Sequence, residues 1–389
     1  MFSSRTNWHR QPNRLAELLE ECRKSGKPIY DLTNSNPTDC GIHYPEQEIL
    51  SALSNPDALQ YHPDPRGLLT AREAISNYYR EKNVRVNLSD IFLTASTSEA
   101  YSLAFKLLCN PGESILVPRP SYPLFDYLAQ VNDVLVQHYY LIYDHGWHID
   151  IESLKNARTE STRAIVMVNP HNPTGMFLKK SEYNAIEEFG VKNNLAFIVD
   201  EVFADYAFVE DKNRIASTAG NSEVLTFTLN GISKLAGFPQ MKLGWIVVGG
   251  EESIRREASE RLEILCDTFL SVNTPVQVAL PELFRIGQLA RATILDRIKS
   301  NYKYLYQAFI NTACTLAPIE GSWYAILKVP RTKSDEEWAL GLLEHKGVYL
   351  YPGYFFDFVE EGYLVVSLLA DEVLFRQAIT EVMNYLSAV

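Results

Sequence analysis

The chain has 389 residues and a formal net charge of −12, with 46% hydrophobic and 22% charged residues. This is the composition of an ordinary globular protein, and the length is enough for two domains with separate cores. The acidic balance argues against a surface that binds nucleic acid or an anionic membrane, because phosphate groups would be repelled.

The N-terminal part of the chain is predicted to consist of helices separated by loops. Apolar residues at helical spacing predict helices over 12–26, 45–60 and 68–82. A short strand at 29–32 runs into a polar loop. Between the second and third helices, the prolines of Tyr61–Gly67 make a rigid turn.

From residue 91 onwards, strands and helices alternate. We predict strands at 91–94, 114–117, 164–168, 196–199, 224–229 and 245–248, a further apolar stretch at 134–143, and helices at 97–109, 123–131, 181–193 and 252–269. Continuous apolar strands that alternate with helices indicate an α/β fold, with a largely parallel sheet covered on both faces.

Beyond residue 275 the pattern changes to a smaller α+β unit. Its predicted elements are helices within 276–313, a strand at 324–327, a helix at 335–344 and a strand at 363–367. We therefore expect three parts, namely an N-terminal segment (1–40) that packs with the small domain, a large domain (41–275) and a small C-terminal domain (276–389).

Several polar motifs follow the predicted strands, at the carboxyl ends where ligands gather in a parallel sheet. Ser96-Thr97-Ser98-Glu99 fits a capping box, with Ser96 as the cap and Glu99 three residues later. The same helix start offers unpaired N–H groups and the positive end of a dipole, which suits a phosphate group. The structural and the functional interpretations are compatible.

Three other strand ends carry candidate residues. Tyr122 is either a core tyrosine or a ring that stacks on a flat cofactor. Asn172 lies in Asn169–Gly175, a turn with two X-Pro pairs that holds its amide in a fixed position. Asp200 and Glu201 end a strand, where an acidic pair either caps a helix or holds a protonated ring nitrogen.

Lys234 follows the buried strand predicted at 224–229 and has small neighbours on both sides. Burial disfavours the ammonium form and leaves an amine that can attack a carbonyl group. On its own, this stretch favours a surface lysine in a loop after a strand. The motifs elsewhere in the chain favour the reactive amine.

The order of these motifs resembles that of the class I/II aminotransferases, which are enzymes of fold type I that depend on pyridoxal 5′-phosphate (PLP). The motifs are Tyr61…Gly67, Ser96-Thr97-Ser98-Glu99-Ala100, Pro120-x-Tyr122, Asn172-Pro173-Thr174-Gly175, Asp200-Glu201 and Ser233-Lys234. The resemblance covers residues 30–370. It implies a large domain with a mostly parallel seven-stranded sheet between helices, a smaller α+β domain, and a homodimer with shared active sites.

The resemblance also implies roles for individual residues. Lys234 would form an internal aldimine with PLP and act as the catalytic base. Asp200 would pair with the pyridine nitrogen, Asn172 would bond the ring 3-oxygen, and Tyr122 would stack on the ring. Tyr61 would come from the partner subunit. The phosphate would lie among Ser96, Thr97, Ser98, Ser233 and Lys242.

Three residues depart from the family pattern. Phe203 stands where most relatives have a tyrosine that also bonds the ring oxygen. Lys242 stands in place of a phosphate-binding arginine, which keeps the charge but loses the bidentate fork. Val365 stands in place of the arginine that binds the substrate α-carboxylate, and 354–375 contain no lysine or arginine.

The leading functional hypothesis is an aminotransferase that moves an amino group between an amino donor, expected to be an amino acid, and a 2-oxo acid. Arg66 is our candidate for the cation that replaces the missing arginine, with a surface salt bridge as the alternative. Asn36 is a candidate for the same pocket or a turn residue. A second hypothesis is a PLP enzyme whose substrate lacks a free α-carboxylate, or one that catalyses elimination or cyclisation. A non-catalytic PLP-binding protein is the third.

The sequence also predicts the compartment. The cysteines are scattered, odd in number and without a CxxC pair, which excludes a complete disulfide framework and gives no zinc spacing. The N-terminus lacks the apolar core of a signal peptide, and no stretch approaches the ~20 apolar residues of a membrane span. We expect a cytoplasmic protein with no metal, no nucleic-acid partner and no membrane partner.

Overall fold

The computed structural model describes residues 1–8 and 10–387. Helices α1 to α12 span Arg14–Lys24, Glu46–Leu53, Leu69–Glu81, Thr97–Leu108, Leu124–Val131, Ile151–Ala157, Lys180–Asn193, Ile232–Leu235, Glu252–Phe269, Thr274–Ala308, Asp335–Lys346 and Glu372–Ser387. Strands β1 to β14 span Tyr30–Asp31, Ile91–Thr94, Ser114–Arg119, Leu135–Tyr143, Trp147–Ile149, Thr162–Val168, Ala196–Asp200, Thr226–Gly231, Gly244–Gly249, Thr315–Leu316, Tyr324–Lys328, Val348–Tyr349, Tyr351–Pro352 and Tyr363–Ser367.

Eight strands form the large sheet, in the order β2-β9-β8-β7-β6-β3-β4-β5. The five central strands β8, β7, β6, β3 and β4 run parallel to one another. At one side β9 lies antiparallel to both β8 and β2, and at the other side β5 lies antiparallel to β4. The expected mostly parallel seven-stranded sheet is therefore present, and the short β5 adds an eighth strand at one edge.

Both faces of the large sheet are covered by apolar side chains from the rest of the chain. In β7, Phe197 and Val199 pack into one apolar cluster and Ile198 packs into another on the opposite face. All five residues of β7 are buried. This double burial is why the central strands are continuous apolar runs in the sequence.

The carboxyl ends of the central strands lie side by side. Val168 at the end of β6 pairs with Asp200 at the end of β7, which in turn pairs with β8. Gly231 at the end of β8 pairs with Gly244 of β9, and Gly244 also pairs with Thr94 at the end of β2. The loops that follow these strands therefore meet at one edge of the sheet.

The C-terminal part forms a second, antiparallel sheet in the order β10-β11-β14-β13. Near the N-terminus, β1 pairs in parallel with β12, and α1 contacts α11. Helix α10 contacts α2 and α3 as well as α12, so it links the helices around both sheets. The boundaries at residues 40 and 275 stay a prediction.

Some predicted elements differ from those in the structure. The helix predicted over 45–60 ends at Leu53, and Asn55 then caps a short 3₁₀ turn over Pro56–Leu59. The helical stretch 276–313 is a single helix of 35 residues, α10, which continues through Pro281. Helix α12 was not predicted. Within residues 1–8 and 10–387, no helix is long and apolar enough to cross a membrane.

Candidate active site

A cavity of about 230 Å³ opens at the carboxyl edge of the large sheet. Its walls come from the ends of β6 and β7, from the loops after β3 and β8, from the start of α4 and from β11 of the second sheet. The predicted site residues that line it are Ser96, Thr97, Ser98, Tyr122, Asn172, Asp200, Ser233, Lys234 and Lys242. Motifs that are far apart in the sequence are thus brought together in one place.

Lys234 reaches the cavity from α8, the short turn that follows β8. The chain turns into α8 at Gly231, where a Cβ atom would lie 3.0 Å from the carbonyl oxygen of Leu243. The hydroxyl group of Tyr206 donates a hydrogen bond of 2.6 Å to the carbonyl oxygen of Lys234. The backbone of Lys234 is therefore held by the close packing at Gly231 before it and by the hydrogen bond from Tyr206.

The pKa values of Lys234 and Asp200 are shifted towards each other by burial. Burial lowers the pKa of Lys234 to about 8, although the nearby Asp200 favours the ammonium form. Burial also raises the pKa of Asp200 to about 6. The N–H of Val202, which donates to Asp200 Oδ1 at 3.0 Å, lowers this pKa but does not offset the burial. Two ionisable groups with strongly shifted pKa values in one cleft are typical of a catalytic site.

The side-chain amide of Asn172 is available for a ligand. Asn172 is 7% exposed, and its Oδ1 has no hydrogen-bond partner within the part of the chain that the structure describes. The turn around it is fixed, because His171 Nδ1 and the Thr174 hydroxyl group are bonded at 2.9 Å and the N–H of Leu178 donates to Asn169 Oδ1. A buried polar atom without a partner is costly, which indicates that a ligand completes the site.

The start of α4 offers a site for an anion. Ser96 caps the helix by accepting a hydrogen bond from the N–H of Glu99 at 3.2 Å, while the Glu99 carboxylate reaches the N–H just before the cap. Thr97 and Ser98 line the cavity at this helix end, where unpaired N–H groups and the positive dipole end favour an anion. Lys242, with a left-handed φ of 51°, adds a second cation to the cavity wall.

The structure does not bring Arg66 or Asn36 into the cavity. The Arg66 guanidinium donates hydrogen bonds to Glu263 at 2.7 Å and to the carbonyl oxygen of Ser89. Arg66 therefore forms a salt bridge, which was the alternative to a role in the cavity. Asn36 is a turn residue, since its Oδ1 accepts from the N–H of Thr38 and its Nδ2 donates to Asp39. Both side chains are therefore engaged by partners outside the cavity.

Tyr61 also lies outside the cavity. It is 75% exposed and borders a separate surface groove formed by the turn before α3 and the start of α10. The role that the resemblance gives to Tyr61 belongs to the active site of a partner subunit, and it stays a prediction.

Sequence reasoning missed residues that the structure places at the cavity. Ser35, Tyr101 and Tyr324 line it, and Trp323 packs behind Lys234. A signal for Tyr101 exists, because it lies four residues after Thr97 and so on the same helix face. Ser35 directly precedes the predicted Asn36. Nothing local marks Tyr324, the first residue of β11, or Trp323, which directly precedes that strand.

Comparison with known proteins identifies the family. Residues 29–379 match the family model for aminotransferase class I and II. The protein is a class I and II aminotransferase.

Relatives and solved structures agree with this assignment. The aminotransferase is 30% identical over 384 residues to the glutamate-pyruvate aminotransferase AlaA of Haemophilus influenzae. This match covers 95% of the present chain and 92% of AlaA. It is 27% identical over 375 residues to human tyrosine aminotransferase, with 92% and 81% covered. The alanine aminotransferase structure from Pyrococcus furiosus shares the fold with a TM-score of 0.89, 24% identity and full coverage of both chains.

Enzymes of this family depend on PLP and move an amino group between an amino donor and a 2-oxo acid, and this protein is such an enzyme. The residues at the cavity fit PLP. An amine and a buried carboxylate can face its aldehyde carbon and ring nitrogen, the side-chain N–H of Asn172 can donate to its ring oxygen, and the start of α4 with Lys242 can bind its phosphate.

Besides Lys242, two departures from the family pattern are visible in the aminotransferase. Phe203 lines the cavity and is 4% exposed, so no phenol is present at that position. Val365 is fully buried in β14, where it pairs with Ile326 of β11 and Tyr351 of β13. Among the residues that the structure describes, the cavity wall contains no arginine, and its cations are Lys234 and Lys242.

Proposed function

We propose that the cavity binds PLP and that Lys234 carries the cofactor. Lys234 Nζ would hold the aldehyde carbon, Asp200 the ring nitrogen and Asn172 the ring 3-oxygen, while Tyr122 would stack on the ring. The phosphate would lie at the start of α4, among Ser96, Thr97, Ser98, Ser233 and Lys242. The main support is the desolvated pair of Lys234 and Asp200, which come from adjacent strands and line one cavity.

In the reaction, bound PLP supplies an electron sink for the electron pair left when the Cα–H bond of the donor breaks. Asp200 accepts the hydrogen bond of the ring N–H and so keeps the ring nitrogen protonated. Once the donor's amino group has taken the place of Lys234 Nζ on the cofactor, the freed Nζ would accept the proton that leaves Cα and would deliver it to the former aldehyde carbon of the cofactor. An amine with a pKa of about 8 suits this task, because it can both take and release a proton near neutral pH.

The donor is proposed to be an amino acid whose carboxyl end is held by hydroxyl groups rather than by an arginine. Ser35, Tyr122 and Tyr324 supply hydroxyl groups at the cavity wall. Burial raises the pKa of Tyr324 well above its usual range, so its phenol stays protonated and able to donate. Neutral donors bind a carboxylate more weakly than a bidentate guanidinium does, so KM values for amino acids should be high.

The relatives suggest which donors to try first, namely glutamate, alanine and tyrosine, since these appear in the names of the similar enzymes. A homodimer is proposed as well, with Tyr61 reaching the partner's site. Its support is the exposure of Tyr61 together with nearby apolar side chains such as Leu59 and Phe269. The protein is further proposed to be cytoplasmic, and to divide into the segment 1–40 and the domains 41–275 and 276–389.

A spectroscopic titration tests the proposal. Purified protein is incubated with PLP, the visible absorbance is recorded, and the sample is reduced with borohydride and digested for mass spectrometry. We expect a visible band and a covalent pyridoxyl group on Lys234. Lys242→Ala serves as the matched control and should keep the modification at Lys234, whereas Lys234→Ala should lose it. A wild-type protein without a band, or with the group on another lysine, would contradict the proposal.

Activity is tested separately by following the loss of the visible band after glutamate, alanine or tyrosine is added, and its return with a 2-oxo acid. Comparison of alanine with alaninamide tests the hydroxyl contacts. If neutral hydroxyl groups hold the carboxyl end, the two donors should differ by less than about tenfold in kcat/KM. A much larger preference for the free acid would show that a cation binds it.

A further inference from the structure

The amine of Lys234 lies against the face of a tryptophan. Lys234 Nζ is 4.7 Å from the centre of the Trp323 ring and 5.8 Å from that of Phe203. Both distances are within the range in which an ammonium group is attracted to an aromatic face. Trp323 is fully buried, so its ring is held by the side chains packed around it.

The tryptophan is held in a rigid group of aromatic rings. Phe203 meets Trp323 edge to face, with ring centres 5.4 Å apart and an angle of 70° between the planes. Tyr206 meets it in the same way at 5.2 Å and 74°. The hydroxyl group of Tyr206 also bonds the carbonyl oxygen of Lys234. The same rings therefore contact both the backbone and the amine of Lys234.

We propose that Trp323 is a positioning residue for Lys234, and that its indole face stabilises the ammonium form of the amine between proton transfers. This inference rests on the proposed role of Lys234 as the base. Each time Lys234 Nζ takes the proton from the donor Cα, a positive charge appears on an amine that burial disfavours in its charged form. The face of Trp323 supplies negative electrostatic potential at that point without adding a second carboxylate.

Two other influences act on the same amine. Burial lowers the pKa of Lys234, and Asp200 partly restores it. The remaining ionisable groups around the cavity are neutral phenols and one cation. They are Tyr101, Tyr122 and Tyr324, whose pKa values burial raises, and Lys242, while the Tyr206 hydroxyl group faces the backbone of Lys234. The groups that favour the charged amine are thus Asp200 and the two aromatic rings, of which Trp323 is the nearer to Lys234 Nζ.

The test measures the protonation of Lys234 directly in the full-length protein freed of cofactor. The amine is labelled with acetic anhydride at a series of pH values, and labelling of the peptide that contains Lys234 is quantified by mass spectrometry. Trp323→Leu removes the ring, and Trp323→Phe keeps a smaller one. Trp338→Leu is the matched control, because Trp338 is equally buried but donates its indole N–H to Pro330 in another part of the fold.

We expect the labelling midpoint of Lys234 to fall by about one pH unit in Trp323→Leu, by less in Trp323→Phe, and to stay unchanged in Trp338→Leu. A midpoint that stays or rises in Trp323→Leu while the protein remains folded would overturn the inference. If Trp323→Leu does not fold, the result rests on Trp323→Phe, for which an unchanged midpoint has the same meaning. Cofactor binding to the wild type is judged by the borohydride experiment, so failure of the proposed function is seen separately.

Discussion

Replacing Asp200 with asparagine is expected to change stability and cofactor affinity in opposite directions. Asp200 is buried at the end of β7, where its carboxylate has lost the water that would stabilise the charge. Asparagine has nearly the same shape and keeps an oxygen for the N–H of Val202, which donates to Asp200 Oδ1 at 3.0 Å. The substitution therefore removes a buried charge without opening a cavity.

The size of the effect follows from the pKa of Asp200, which burial raises from 3.8 to about 6. A difference of about two pH units corresponds to about 3 kcal/mol. Because the folded-state pKa is the higher one, the stability that protonated Asp200 contributes is full below pH 3.8 and lost as the pH rises through about 6. Asparagine also removes the attraction to Lys234, which offsets part of the gain.

We therefore expect Asp200→Asn to stabilise the cofactor-free protein by about 1–3 kcal/mol near pH 7.5, and by about half as much near pH 5. PLP affinity should fall by about 10- to 150-fold, since a hydrogen bond to a charged group is worth about 1.5–3 kcal/mol. Urea unfolding at the two pH values measures the first effect, and absorbance titration with PLP measures the second.

The matched control is Asp205→Asn. Asp205 pairs with Lys82 at 3.0 Å and with Arg291 at 3.1 Å, and it accepts a hydrogen bond from Tyr78. Its substitution leaves cations without their partner and should destabilise the protein. A loss of stability in Asp200→Asn near pH 7.5, or a gain that does not depend on pH, would refute the reasoning about the buried charge.

Three further substitutions test the surroundings of Lys234. Tyr206→Phe removes the 2.6 Å bond to the Lys234 carbonyl oxygen and should lower the free energy of unfolding in urea by about 1 kcal/mol. Phe203→Tyr adds a phenol at the cavity wall and should strengthen PLP binding several-fold in an absorbance titration, and unchanged affinity would show that the phenol does not reach the cofactor. Lys242→Met should weaken binding of PLP by about tenfold but hardly affect pyridoxal, which lacks the phosphate; an equal loss for both would remove Lys242 from the phosphate site.

The sequence was most informative where function depends on residues next to a strand end. Asp200 and Lys234 each follow a continuous apolar run, and the carboxyl ends of parallel strands must meet at one edge. The pattern therefore predicts that these residues come together, even though 33 residues separate them along the chain. The identity of the cofactor came from the resemblance, not from this geometry.

The sequence was least informative where a side chain could choose between distant partners. Arg66 was expected at the cavity because it lies near Tyr61 in a rigid turn. In the structure its guanidinium instead bonds Glu263, which is 197 residues away, and stacks on Phe92. Contacts of this kind depend on how helices pack around the sheet, and no local pattern records them.

The two sheets of this aminotransferase contribute different parts of the candidate site. Asp200 at the end of β7 and Lys234 just after β8 are the proposed cofactor residues and match the family pattern, although Phe203 and Lys242 in the same part of the chain depart from it. Tyr324 lies on β11 and Val365 on β14, two strands of the second sheet that pair directly. Tyr324 lines the cavity and Val365 does not, so Val365 can influence a bound donor only through the packing of these paired strands. We propose that residues of the second sheet determine which donor binds, and that the departure at Val365 affects the donor rather than the buried pair of Lys234 and Asp200.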